Sequence, residues 1–271
     1  MPLEVTLRPL TSRDDYAACV RLQREIWGRD FADVVPATLL MVSQRVGGVA
    51  AGAFGADGRL LGFVFGISGV SDGAPAHWSD MLAVHPDARR QGLGIRLKRY
   101  QRERLLADGI EIASWSFDPL VAANANLNVN GLGALPVEYV ADMYGDTGST
   151  LHRGLATDRF VVDWNLAGAR VERLLAGRGA PLPDAADTAA AVDLAGRAPG
   201  AELPADPWVR VAVPARIDVL KATEPALARA WQHMHRRVLP WYLARGYRVA
   251  GFRHLPPPRD SGYLLTNEPA E

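Results

Sequence analysis

The sequence predicts an α/β fold: a mixed, mostly antiparallel central sheet flanked by helices, with an additional C-terminal βαββ unit. Three observations carry that expectation. Strand-like and helix-like patterns alternate along the first 166 residues. In "GGVAAGAFGADGRLLGFVFGISG" two glycine-punctuated apolar runs are joined by Asp57-Gly58, a pair favoured in tight hairpin turns, so these strands should be antiparallel. After a stretch rich in Ala, Gly, Pro and Asp, the order strand, helix, strand, strand appears again.

Taken in order, "EVTLRPL" alternates Val5 and Leu7 with polar neighbours and reads as a strand. "TSRDDYAACVRLQREIWG" is a helix capped by Ser12 or Asp14 and ended by Gly28. A short helix over "PATLLMVSQR" precedes the hairpin, and "HWSDMLAVHP" is the next strand. Beyond its helix come "IEIASWSF" as strand, "NANLNVNGLG" as a helix closed by glycine, and "PVEYVADMYG" and "RFVVDWNL" as strands. Residues 167–207 read as a mobile connection after one short helix over "ARVERLLAG". Order returns with "WVRVAVP", a long helix bearing Pro240, and the strands "YRVAGFRHL" and "GYLLTN". The expected division is a domain over 1–166, the connection over 167–207 and a subdomain over 208–271.

With 271 residues, 48% of them hydrophobic, the chain can build real cores. Thirty basic and thirty acidic side chains cancel, so no overall field favours nucleic acid. The lone Cys19 excludes an internal disulfide and any multi-thiolate metal site, and reads as a small buried side chain. The N-terminus lacks the features of a signal peptide, and no apolar run approaches the length that spans a bilayer, so a cytoplasmic protein without nucleic-acid or membrane partners is expected. His233 and His235, two apart on a helix, face different directions, and no acidic or Cys cluster accompanies them, so no metal is expected. The Gly-x-Ser-x-Gly elbow of nucleophilic hydrolases is absent. Trp231, Trp241 and Tyr242 read as core or as subunit contact, the latter in a homodimer.

The chemistry concentrates in "MLAVHPDARRQGLGIRLKRYQRERLLADG", Met81 to Gly109. A strand followed by "RRQGLG" and a helix leaves unpaired N–H groups at a helix N-terminus, where Gly92 and Gly94 admit an approaching anion and Arg89 and Arg90 add positive charge. That is a pyrophosphate cradle. The dinucleotide fingerprint would need a third glycine where Leu97 stands, and the Walker Gly-Lys-Ser/Thr is missing. An ordinary strand-to-helix turn is the bland alternative.

"LAVHPDA" followed by Arg-Arg-Gln-Gly-Leu-Gly-Ile resembles motif A of the GNAT superfamily of acyl-CoA-dependent N-acyltransferases. The resemblance covers residues 3–166 by element order. "LKRYQRERLLADGIEIASWSFDPLVAANANLN" and, further on, "TDRFVVDW", "GYRVAGF" and "YLLT" are similar to a bacterial GNAT-like family of predicted acetyltransferases, some linked to amino-acid N-succinylation.

The resemblance implies a GNAT-like sheet, acetyl-CoA or succinyl-CoA as acyl donor, and a small-molecule amine acceptor, an amino acid among the candidates. It implies that the strand Asp80–Val84 parts from its neighbour and pairs with the pantetheine through Leu82, Ala83 and Val84, the Leu82 N–H serving as oxyanion donor. Arg89, Arg90, Gln91, Gly92, Leu93, Gly94 and Ile95 would enclose the pyrophosphate. Asp80 is the leading general base by position, with His77 and Glu138 as competitors; His85 reads as a turn residue. The tyrosine that many GNAT enzymes use as acid, and their cofactor-contacting asparagine, fall on Val129 and Ala122, so both are missing. Tyr139 and Tyr144 are replacement acids, and Asn124 and Asn128 are candidates to bond pantetheine or substrate. Asp118 and the adjacent Asp158 and Arg159 are substrate candidates; a succinyl carboxylate would call for Arg159 or Arg153. The missing tyrosine keeps two rivals alive: a noncatalytic acyl-CoA-binding regulator, and an interaction protein with a vestigial motif.

Overall fold

In a computed structural model that describes residues 4–149, 151, 154–179, 181, 182, 184–194 and 202–269, the chain divides into two units. The first holds Met1–Trp115, Thr147–His152 and Asn165–Gly168; the second holds Ser116–Asp146, Arg153–Trp164 and Ala169–Glu271.

In the first unit, β1 (Val5–Pro9), β2 (Val49–Gly55), β3 (Leu60–Ser71) and β4 (Ala74–Val84) pair successively and antiparallel, and β4 pairs parallel with β5 (Ile112–Phe117). The sheet is thus mixed and mostly antiparallel, as the sequence predicts. The hairpin between β2 and β3 turns where expected: Gly55 N–H donates to Arg59 O at 2.9 Å, and Gly58 takes the left-handed φ of +77° that a side chain would strain.

Helix α1 (Arg13–Trp27) starts at a capping box. Asp15 N–H donates to Ser12 Oγ at 3.0 Å, and the Asp15 carboxylate accepts Ser12 N–H at 3.2 Å. The same carboxylate accepts both Arg8 nitrogens, at 2.7 and 2.9 Å, and this guanidinium holds its pKa well below the ordinary carboxylate range. With α2 (Ala37–Arg45), α1 packs on the sheet face presented by Phe63 and Phe65. Cys19, Leu22, Leu40, Met81 and Ala83 belong to that core. Phe63 is fully buried, worth about 1.5–3 kcal/mol relative to exposure. Helix α3 (Leu93–Ala107) covers the other face: its Leu97 lies within 3.2 Å of where a Cβ on Gly62 would stand, and side chains alternate across a strand.

In the second unit, α4 (Ala122–Ala125) continues as a π-helical turn over Asn126–Leu132 and closes on Gly133, whose φ is +78°. β6 (Leu135–Val140) pairs antiparallel with β7 (Arg159–Asn165). After α5 (Ala169–Leu175) come β8 (Ala190–Val192), β9 (Trp208–Val213), α6 (Ile217–Thr223), α7 (Pro225–Leu243), β10 (Arg248–Arg253) and β11 (Ser261–Thr266). These strands form a four-stranded sheet in the order β10-β11-β9-β8, antiparallel except for β8 alongside β9. The βαββ pattern is present with two additions unseen in the sequence. β8 is three residues of Ala-Ala-Val inside an alanine-rich stretch, too short to show alternation, and α6 precedes the long helix as a separate piece. Trp231 and Tyr242 are buried in this unit, whereas His233 is exposed and His235 fully enclosed. Among the described residues no helix is long and apolar enough to cross a membrane.

Candidate functional site

β4 carries a bulge. Phe65 faces Met81 and Ile67 faces Trp78, so Ser79 and Asp80 together oppose the single Gly66. The extra residue changes the strand's faces: Ser79 bonds to α3, whereas Met81 and Ala83 pack into the core with α1 and α2. Leu82 follows the α3 face, its Cδ2 3.8 Å from where a Cβ on Gly94 would stand. The carbonyl of Gly66, opposite the bulge, accepts the Ser43 hydroxyl at 3.0 Å. A Cβ at Gly66 would lie 2.2 Å from His77 Nε2, so glycine is required there for space.

Just before the bulge, among the described residues, β4 loses its neighbour on this side. The β4–β5 ladder pairs His77 with Ala113 and Trp78 with Ser114 and ends there. His85 N–H donates to Leu61 O at 2.8 Å, and antiparallel pairs alternate between bonded and non-bonded partners. Counting back from His85, the backbone groups of Ala83 and Met81 turn toward β3, and those of Leu82 and Val84 turn toward the open side. Arg89 Nε donates to Val84 O at 3.1 Å, closing that edge at its far end.

From there the chain makes a 3-10 turn over Pro86–Ala88 and enters α3. Arg90 and Gly92 both adopt left-handed φ, +61° and +73°. Gly92 is the N-cap and supplies no side-chain cap, and the first intrahelical bond runs from Arg96 N–H to Gly92 O at 3.1 Å. The first N–H groups of a 15-residue helix therefore lack intrahelical partners. Gln91 and Gly92 are exposed, Gly94 and Ile95 half-buried, and Leu93 is buried in the core. A Cβ on Gly92 would touch nothing within 4 Å, so its backbone angle, not space, selects glycine.

No family model and no curated protein matches the chain. Solved structures do. Naa20 of Chaetomium thermophilum in complex with a bisubstrate analogue is 15% identical, with a TM-score of 0.48 over 64% of this chain and 90% of that one. The ribosomal-protein-S18-alanine N-acetyltransferase from Escherichia coli is 18% identical, with a TM-score of 0.46 over 61% of this chain and 96% of that one. YncA of Salmonella typhimurium, solved with acetyl-CoA, is 18% identical, with a TM-score of 0.46 over 61% and 95%.

Two titratable groups, Asp80 in the bulge and His77 before it, behave differently. Asp80 is exposed, yet crowding by neighbouring atoms and the charge of Asp33 raise its pKa. His77 is buried, and that burial, with the nearby charge of Lys98, pushes its pKa down to about 4. Both His77 nitrogens are engaged, Nδ1 with Ser68 Oγ at 2.9 Å and Nε2 with Gln101 Nε2 at 2.9 Å. A ring held this way is a poor proton acceptor, which favours Asp80 between the two. Lys98 and Gln101, buried behind the bulge, escape sequence reasoning because polar residues in a charged helix read as a solvated face. His85 is a turn residue, as expected: its Nδ1 accepts Asp87 N–H at 3.2 Å and its Nε2 lies 2.7 Å from an Arg59 nitrogen.

The remaining candidates lie in the second unit, apart from Arg153, which falls outside the described residues. Asp158 is buried and accepts both Arg236 nitrogens, at 2.7 and 2.6 Å, plus the Tyr139 hydroxyl at 2.6 Å and Asp142 N–H at 3.0 Å. These donors outweigh the burial that opposes them and hold its pKa below the ordinary value. Burial first, and the bond to Asp158 second, raise the Tyr139 hydroxyl far above the usual phenol range. Tyr144 is exposed, with its hydroxyl 2.8 Å from Ser116 Oγ and the Arg159 guanidinium 5.4 Å from its ring centre. Arg159 donates to Asp158 O at 2.9 Å. Asp118 accepts Leu120 N–H at 2.9 Å; burial raises its pKa, against the pull of Arg159 and Lys221. Asn124 is exposed, Asn128 is buried, and Glu138 is exposed on β6. Val129, at the position of the expected acid tyrosine, is fully buried.

Proposed function

We propose that this chain is an acyl-CoA-dependent N-acyltransferase of the GNAT type, transferring an acetyl or succinyl group to the amine of a small molecule such as an amino acid. One observation carries the reading: β4 keeps only a two-residue ladder with β5, while its freed edge runs straight into the glycine-opened N-terminus of α3. An extended pantetheine arm can add to such an edge as a strand would, with the diphosphate against the first N–H groups of α3 and Arg90 beside it.

In this reading the Leu82 N–H faces the thioester oxygen and holds the charge that builds there, worth about 3–4 kcal/mol in the transition state. Asp80 accepts a proton from the acceptor ammonium, directly or through water, and its raised pKa makes it a stronger base than an ordinary aspartate. The free amine attacks the thioester carbon, the C–N bond forms, the C–S bond breaks, and the departing thiolate takes a proton. Tyr139 donates its proton to Asp158, whereas the Tyr144 hydroxyl is exposed.

That commitment of Tyr139, together with apolar Val129, favours a second reading, a noncatalytic acyl-CoA-binding protein. Calorimetric titration with CoA, acetyl-CoA and succinyl-CoA, followed by thiol release across D- and L-amino acids and other amines, separates the two. Binding with turnover supports the enzyme. Binding without turnover on any acceptor supports the regulator, and no binding removes both.

A further inference from the structure

Behind the bulge lies a buried chain of polar side chains, all in the first unit. Lys98, 2% exposed on α3, donates from Nζ to Ser79 Oγ at 2.7 Å and to Gln101 Oε1 at 3.1 Å, and sits 3.5 Å over the ring of Trp115. Ser79 Oγ in turn donates to Gln101 Oε1 at 3.0 Å. Ser68 Oγ donates to Gly47 O at 2.7 Å, so it must accept from His77 Nδ1–H. His77 Nε2 is then the acceptor for the Gln101 amide, and these hydrogen bonds run in one direction, from Lys98 to the carbonyl of Gly47.

The network costs desolvation, and burial drives the Lys98 pKa well below that of a free lysine. An apolar residue could fill this space without that penalty. What the polar version does is tie two things together: α3, whose N-terminus forms the anion cradle, and Ser79, the first residue of the bulge.

The geometry points to Lys98 as a positioning residue: through Ser79 it fixes the bulge, and thereby the direction of the Asp80 side chain and the Leu82 amide along the open edge of β4. This rests on the acyltransferase reading for its functional meaning. A regular strand in place of the bulge would exchange the faces of residues 80–84, taking the Leu82 N–H off the open side. Lys98 touches no ligand in this scheme; its effect is on where β4 points its groups.

The test replaces Lys98→Met, which keeps the length and loses the donors, and separately Ser79→Ala, which removes the other end of the bond. Leu105→Ala, a core truncation further along the same helix, is the control. Amide hydrogen exchange at residues 80–82 in the unliganded protein should rise about tenfold or more in both variants and not in the control. Affinity for CoA, read by calorimetry, should fall by a smaller factor than kcat for thiol release, which falls about tenfold or more, because the diphosphate contacts at the start of α3 are left in place. Unchanged exchange at 80–82 in both variants overturns the inference. So does a loss of CoA affinity that matches the loss of kcat, or failure of both variants to fold, since the network would then support the whole unit rather than the bulge. Should the wild-type protein bind no CoA, the acyltransferase reading falls while the exchange measurement still decides whether Lys98 holds the bulge.

Discussion

The hydroxyl of Ser43 donates to the carbonyl of Gly66 at 3.0 Å, from the helix side of the sheet into the residue that faces the β4 bulge. Gly66 is thereby fixed on one side by α2, and on the other a Cβ would collide with His77 Nε2 at 2.2 Å. Gly66→Ala should cost about 1–3 kcal/mol by overpacking. Urea unfolding measures it, and a loss below a few tenths would mean that both His77 and the Trp78 carbonyl, 2.6 Å from that Cβ, give way freely.

Acid should loosen the first unit as pH falls below 6.5. His77 has a pKa near 4 in the fold against 6.5 when free, so between those values the unfolded chain binds a proton that the folded chain refuses. Stability is complete above pH 6.5 and is lost as pH falls toward 4, by about 3 kcal/mol for a shift of this size. His77→Gln should flatten that part of the stability–pH curve. An identical slope in the variant would assign the acid sensitivity to other groups, of which His235, lowered in the same way, is one.

Two glycines of the cradle should respond differently. Gly92→Ala meets open space but a φ of +73°, and should cost about 1–2 kcal/mol of stability. Gly94→Glu has room for its Cβ, 3.8 Å from Leu82, so the fold should survive while a carboxylate opposes the diphosphate. CoA affinity should drop at least tenfold, and a folded Gly94→Glu protein with wild-type affinity would place the diphosphate elsewhere.

Asp80→Asn should lower kcat by about a hundredfold or more, the usual range for a general base, with CoA affinity little changed. The acid limb of the wild-type pH–rate profile should lie above the ordinary aspartate range, because the pKa is raised. A variant with full activity returns the role of base to Glu138.

Asp158→Ala leaves Arg236 and Tyr139 without the acceptor they share, and should destabilise the protein by about 1–3 kcal/mol, water reaching the exposed part of Arg236. Differential unfolding of the purified variant checks this. A loss below 1 kcal/mol would show that water replaces the carboxylate without penalty.

Much of this arrangement was legible in the residues, and the rest was hidden for specific reasons. Ser12, Asp57-Gly58 and Gly92 announce their turns because each fills a backbone position that few residue types tolerate. The bulge stays hidden because His77, Ser79, Met81 and Ala83 are all buried at alternate positions, a pattern identical to that of an unbroken strand. Only the packing reveals that the first two lie against α3 and the last two against α1 and α2. Lys98 and Gln101 are unreadable for a similar reason, since hydrophobic periodicity ranks them as surface. Tyr139 and Tyr144 look equivalent in the sequence, and a partner nineteen residues away, Asp158, is what distinguishes them.

The shift of faces within β4 also limits how this chain can evolve. A substitution that straightened the strand with every residue kept would restore an even pleat, swing Met81 and Ala83 out of the apolar interior and put Leu82 in their place. The cavity left beneath α1 would penalise that change wherever the ligand happened to be. The kink beside the open edge is therefore guarded by hydrocarbon packing on the far side of the sheet, and its persistence need not depend on selection for chemistry.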